Sequence, residues 1–200
     1  NIIAEYEMKV IGITGGVGSG KSQVLGYLEK TYKAKVCQLD EVAKELQKSG
    51  KPCFQKIVET FGEQVVGEDG ELNRPVLSSI VFQDADKLEM LNEIVHPQVK
   101  VEVTRQIIEE QKKDTPLFVI ESALLPESGY EDVCEEMWCI YTKEAVRRER
   151  LKVSRGYSDE RITRMIASQN SEEMFRKACT HVIDNSGDFK ETEKQIGEIL

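Results

Sequence analysis

The sequence predicts an α/β fold, a parallel sheet between two layers of helices, and three observations predict it. Short apolar runs recur along the chain, helical patterns separate them, and one run ends in a glycine-rich turn that leads into a helix. Lys9-Val-Ile-Gly-Ile-Thr14 is that run, and Val24, Leu25 and Leu28 then share one helical face. The order there is strand, loop, helix. Ala34 to Leu39 reads as a second strand, and Asp40 begins a helical pattern with Val42, Ala43 and Leu46. From Pro52 to Lys113 the pattern is almost wholly helical, with breaks expected at 67–70, 73–75 and His96-Pro97. Strand signals resume at Leu117-Phe-Val-Ile120, Met137-Trp-Cys-Ile-Tyr141 and His181-Val-Ile183. Strands alternating with helices imply a doubly wound sheet. The expectation is one domain over residues 1–200, with a core at about 8–50 and 115–200 and a helical insertion at about 51–114.

The bulk composition narrows the functions. A chain of 200 residues with 40% apolar content can bury roughly 70% of its unfolded surface, enough for a substantial core. A formal charge of −9 argues against a general nucleic-acid binder, which needs basic surface to displace phosphate counterions. An anionic ligand would need a local basic site. Cys37, Cys53, Cys134, Cys139 and Cys179 are odd in number, scattered and without a C-x-x-C pair, so neither a disulfide framework nor a zinc site is indicated. No segment approaches the ~20 apolar residues that span a bilayer. The expectation is a soluble, cytoplasmic protein without a membrane partner.

The strongest motif is Gly15-Gly16-Val17-Gly18-Ser19-Gly20-Lys21-Ser22, which fits G-x-x-x-x-G-K-[ST] at every specified position and sits between strand and helix. Glycines let successive backbone N–H groups turn inward around phosphate oxygens, and the helix N-terminus adds positive potential. The motif therefore points to ATP with Mg²⁺. Lys21 is expected to reach the β- and γ-phosphates and the Ser22 hydroxyl to ligate the metal.

Phosphoryl transfer also asks for a group that accepts the acceptor hydroxyl's proton. Asp40 is the candidate, since it follows a strand and would project from the carboxyl edge of the sheet, where open α/β sheets place ligands. Capping the next helix is the equally available role. Glu121 closes an apolar strand in the manner of an acid that holds Mg²⁺ through water, or simply as a polar strand end.

Arg147, Arg148, Arg150, Lys152, Arg155, Arg161 and Arg164 form a basic cluster in an otherwise acidic chain. Arg155-Gly-Tyr-Ser158 interrupts the helix, so the segment at about 147–160 reads as a small lid that could fold Arg150 and Arg155 over the transferred group. A solvated face shared with Glu144, Glu149 and Glu160 is the alternative for any single arginine. His96, before Pro97, has room for a substrate contact.

Taken in order, these segments resemble the dephospho-coenzyme A kinase family from Met8 onward. Besides the phosphate loop, the resemblance rests on Leu39-Asp40-Glu-Val-Ala-Lys44, Phe61-Gly62, Asp69-Gly-Glu-Leu-Asn-Arg74, Val81-Phe82 and His96-Pro97. It continues through the stretch from Leu124-Leu125 to Glu127-Ser-Gly129, Gln169, and Val182-Ile-Asp-Asn185-Ser-Gly187. The resemblance implies a P-loop core, a helical substrate-binding insertion and a small lid. It further implies ATP-dependent phosphorylation of the ribose 3′-hydroxyl of dephospho-CoA, giving CoA and ADP in the last step of coenzyme A synthesis. Asp40 matches the family's catalytic base, Arg74 and His96 fall in its substrate-binding region, Glu127 in the loop over the acceptor, and Arg150 and Arg155 in the lid. The chain has Gln38-Leu39-Asp40 where the family commonly reads Asp-Ala-Asp, and Ser154 where it places an arginine four residues after Arg150. Two rival readings are a P-loop kinase of another small metabolite and an ATP-binding regulator with weak transfer activity.

Overall fold

A computed structural model describes residues 7–123, 125, 129–168 and 172–200. Residues up to Val36 together with Gln111–Leu200 make one compact unit, and Cys37–Glu110 make a second.

The first unit is built on the sheet. Strand β1 (Lys9–Thr14) is followed by helix α1 (Lys21–Tyr32), and β2 (Lys35–Gln38) leads into α2 (Leu39–Leu46) of the second unit. That unit continues as α3 (Pro52–Phe61), a short 3₁₀ turn at Glu63–Val65, α4 (Arg74–Val81) and α5 (Ala85–Lys112). The sheet resumes with β3 (Leu117–Glu121) and β4 (Glu136–Tyr141), then α6 (Glu144–Arg155), α7 (Asp159–Ala167), α8 (Glu172–Ala178), β5 (His181–Asp184) and α9 (Phe189–Ile199). The strand order is β2-β3-β1-β4-β5, and β1 pairs in parallel with both β3 and β4. Chain direction across the sheet thus reverses at β1, the switch point outside which α/β sheets bind ligands.

Alternation within the strands builds the core of this unit. Ile11, Ile13, Leu117, Val119, Trp138, Ile140 and Ile183 face Val24, Leu25 and Leu28 of α1 and Ile196 of α9. Tyr27 stacks edge-on against Tyr32 and Phe189, whose ring centroids lie 5.9 and 5.7 Å away. On the other face Gly12 is needed for close packing, since a Cβ there would lie 2.6 Å from both Leu125 Cδ2 and Met137 Sδ.

In the second unit, Cys53, Ile57 and Phe61 of α3, Leu77 and Val81 of α4, and Val95, Val99, Val103 and Ile107 of α5 are buried. Gly67 donates to the Glu71 carbonyl at 2.7 Å, and Val66 and Leu72 form an isolated antiparallel bridge, so 67–70 is a tight turn as expected. Asn73 caps α4 by accepting from the Val76 N–H. The break expected at His96-Pro97 is absent: α5 runs through Pro97. The buried residues Val95, Val99, Val103 and Ile107 recur every four positions across that point, and this continuous apolar stripe outweighs the hydrogen bond that proline forgoes. Among the described residues no helix is long and apolar enough to cross a membrane.

Candidate active site

The glycine-rich loop leaves β1 at the switch point of the sheet. Gly18 and Gly20 take left-handed conformations, φ +74 and +83°, which glycine alone adopts without strain. Gly20 stands at the N-cap of α1, and no side chain caps the helix. The first amides of α1 are therefore open to an anion rather than satisfied from within. The walls of the loop are close. A Cβ at Gly15 would lie 2.7 Å from the Ile140 carbonyl, and one at Gly18 would lie 3.1 Å from Leu151 Cγ and 3.2 Å from the Arg147 carbonyl. Ser19 Oγ is buried and has no hydrogen-bond partner among the described residues.

Two elements bring charge to this loop. In the register of β1 with β3, Ile13 stands beside Glu121, so the last residue of β3 meets the base of the loop. Lys21 Nζ pairs with Glu121 Oε1 at 2.9 Å, with both side chains largely buried. The pairing fixes the ammonium beside the loop amides and prevents it from extending into solvent. Ser22, next in the first turn of α1, exposes its hydroxyl.

Arg150 brings its guanidinium to the loop. Its Nη1 is 3.5 Å from where a Cβ on Gly20 would stand. Nη1 donates to Thr142 Oγ1 at 3.2 Å and Nη2 to the Asn185 carbonyl at 2.7 Å. Arg155 ends α6 and is exposed, with its guanidinium 5.9 Å from the Tyr157 ring, over which Arg161 packs at 3.9 Å. Ser154 donates its hydroxyl to the Arg150 carbonyl at 2.5 Å. Arg148 and Lys152 pair with Asp159 across the turn, so part of the basic cluster ties α6 to α7.

Two polar residues without an assigned role in the sequence reading meet the loop from behind. Thr142 Oγ1 and Asn185 Nδ2 both donate to the Ser19 carbonyl, each at 2.9 Å. Asn185 belongs to the Val182–Gly187 motif, which could have drawn attention to it. Thr142 carries no such signal.

In the second unit, Asp40 is the second residue of α2, inside its first turn, and the N-cap is Gln38, whose side chain makes no capping bond to the helix. Asp40 is thus not the cap, and its exposed carboxylate sits at the positive end of the helix. Arg74 opens α4 and lines a cavity of about 530 Å³ with Asp69, Leu72 and Asn73. His96 is exposed on α5. Glu127, with Leu124 and Gln169 of the noted motifs, lies outside the described residues.

Comparison with known proteins agrees with this architecture. Residues 9–191 match the family described as dephospho-CoA kinase (CoaE). The dephospho-CoA kinase of Enterococcus faecalis is 37% identical over 192 residues, spanning 96% of each chain. A Thermus thermophilus crystal structure superposes with a TM-score of 0.79 at 31% identity, again over 96% of each chain. The dephospho-CoA kinase from Campylobacter jejuni shares the fold, with a TM-score of 0.68 at 21% identity over 96% of each chain. A switch-point phosphate loop with a paired lysine, in a chain matched from its first strand into its last helix, means that this protein belongs to the dephospho-CoA kinase family.

Proposed function

We propose that the protein transfers the γ-phosphoryl group of ATP to the ribose 3′-hydroxyl of dephospho-CoA, releasing CoA and ADP. The observation that carries this reading is the open-amide phosphate loop, with Lys21 held on Glu121, in a chain that matches this kinase family over residues 9–191.

Gly15, Gly16, Val17, Gly18, Ser19 and Gly20 would cradle the phosphates through their backbone, and Lys21 would neutralise the β- and γ-oxygens as charge moves to the leaving group. Asp40 would accept the proton of the 3′-hydroxyl as that oxygen attacks phosphorus. Its exposed position in the first turn of α2, free of the capping role, leaves the carboxylate accessible to an acceptor. Arg150 adds positive charge at the loop, and Arg155 is the lid arginine available to the transferred group. Arg74, His96 and Glu127 would hold the acceptor. Mg²⁺ would be held with the help of Ser22 and would supply positive charge to offset that of the phosphates. The exposed Ser22 hydroxyl fits that ion, and among the described residues no cluster of His, Cys, Asp or Glu competes for it. Five cysteines outside any disulfide suit a reducing cytoplasm.

The test is ATP consumption with Mg²⁺ in the presence and absence of dephospho-CoA, with the product weighed for one added phosphate. Turnover that requires this acceptor is expected. ATP binding without turnover would overturn the substrate assignment and point to another acceptor or a regulator.

A further inference from the structure

A phosphate loop works only if its N–H groups, and not its carbonyls, face the anion. The peptide between Ser19 and Gly20 is open to this error, because it joins the buried Ser19 to the left-handed Gly20 and the first turn of α1. Were this peptide to rotate, the Ser19 carbonyl would present negative charge to the phosphates. In the structure that carbonyl accepts two hydrogen bonds, from Thr142 Oγ1 and Asn185 Nδ2, both at 2.9 Å, so both of its lone pairs are occupied from the protein interior.

The two donors are themselves held in place by further hydrogen bonds. Thr142 and Asn185 are 2% and 1% exposed, just beyond the ends of β4 and β5. Thr192 of α9 donates to Asn185 Oδ1 at 2.7 Å, which leaves the amide nitrogen facing Ser19. The Asn185 N–H donates to the Tyr141 carbonyl at 2.7 Å. Arg150 bonds both Thr142 Oγ1 and the Asn185 carbonyl, closing the network. Gly20 completes the fit, since a Cβ there would collide with Asn185 Nδ2. A buried hydrogen-bond network that fixes its donors from several sides favours one arrangement of the groups it holds.

We propose that Thr142 and Asn185 are positioning residues for phosphoryl transfer, a clamp on the Ser19 carbonyl that keeps the loop amides turned toward the nucleotide, with Arg150 as its tie. This rests on the reading of the loop as an ATP site. The clamp acts before the acceptor binds, so its loss weakens nucleotide binding and leaves acceptor binding alone.

Thr142→Val removes the hydroxyl at constant volume, and Thr142→Ser restores it. In Thr142→Val the Kd for Mg·ATP by calorimetry should rise about threefold to tenfold, the reach of one hydrogen bond. The KM for ATP should follow, the KM for dephospho-CoA should hold, and Thr142→Ser should return to within about twofold of the parent. Hydrogen exchange at residues 18–21, measured without nucleotide, should be faster in Thr142→Val. An unchanged Kd for Mg·ATP, a matching rise in the acceptor KM, or failure of Thr142→Ser to recover would each overturn the clamp. Should the parent protein itself fail to bind Mg·ATP, the functional reading falls, and exchange decides the clamp alone: faster exchange in Thr142→Val upholds it and equal exchange overturns it.

Discussion

Asp40 and Lys21 carry separable parts of the proposed chemistry, and single substitutions should separate them. Asp40→Asn keeps shape and removes the base, so kcat should fall by about 10²–10⁴ while the Kd for ATP stays within about twofold. Full turnover in that variant would exclude Asp40 as the base. Lys21 has a structural role beside its chemical one, because its ammonium is paired with Glu121 at 2.9 Å in a largely buried setting. Lys21→Met should therefore cost about 1–3 kcal/mol of stability as well as activity, since it leaves Glu121 without this cation. Lys21→Met combined with Glu121→Gln should recover much of the stability and none of the turnover. Urea denaturation alongside kinetics checks this, and additive stability losses would show that the pair is not coupled.

At the scale of elements, the central strands β1, β3 and β4 were legible because parallel strands buried on both faces read as unbroken apolar runs, and Lys9–Thr14 was delimited by the glycines that follow it. The phosphate loop was equally legible, since its function depends on residues contiguous in sequence. The clamp on Ser19 was not, because Thr142 and Asn185 lie 123 and 166 positions from it and meet it only when β4 has paired with β1 and β5 with β4. Helix boundaries were read less well. Helix α2 begins at Leu39 and not at Asp40, as the buried Leu39 is drawn into the first turn. At Pro97 a local breaker signal competed with a stripe of buried valines and isoleucine, and the stripe prevailed. That outcome carries a prediction. An interior proline costs a helix up to about 3 kcal/mol relative to alanine, so Pro97→Ala should raise the urea midpoint, with α5 otherwise unchanged. A lower midpoint would mean that the helix is bent there to suit its packing.

The whole molecule carries a formal charge of −9, yet two carboxylates at strand ends, Glu136 and Asp184, are held ionised by local partners. Burial pushes the Glu136 carboxyl up, but the Lys9 ammonium at 2.9 Å, the Trp138 indole N–H at 2.9 Å and the nearby His181 together bring it below the usual 4.5. Burial likewise raises Asp184, and hydrogen bonds from Ser186 with the charges of Lys143 and Arg176 bring it below 3.8. Both groups thus have folded values beneath their unfolded ones, so the unfolded chain binds more protons as pH falls. Their stabilisation is complete above the unfolded values and is lost as pH drops through the folded ones. Stability should be nearly flat from pH 7 down to about 5.5 and decline steeply below 4.5. Glu136→Gln should remove about 1–3 kcal/mol at pH 7 and leave a shallower acid decline, as read from urea midpoints across the range. Parallel pH profiles for the two proteins would show that Glu136 does not drive the transition. Position adds a second expectation. Lys9 and Glu136 begin β1 and β4, while the phosphate loop follows the opposite end of β1. Glu136→Gln should therefore weaken the fold without changing the KM for ATP, which separates the charges that hold the sheet together from those that serve the nucleotide.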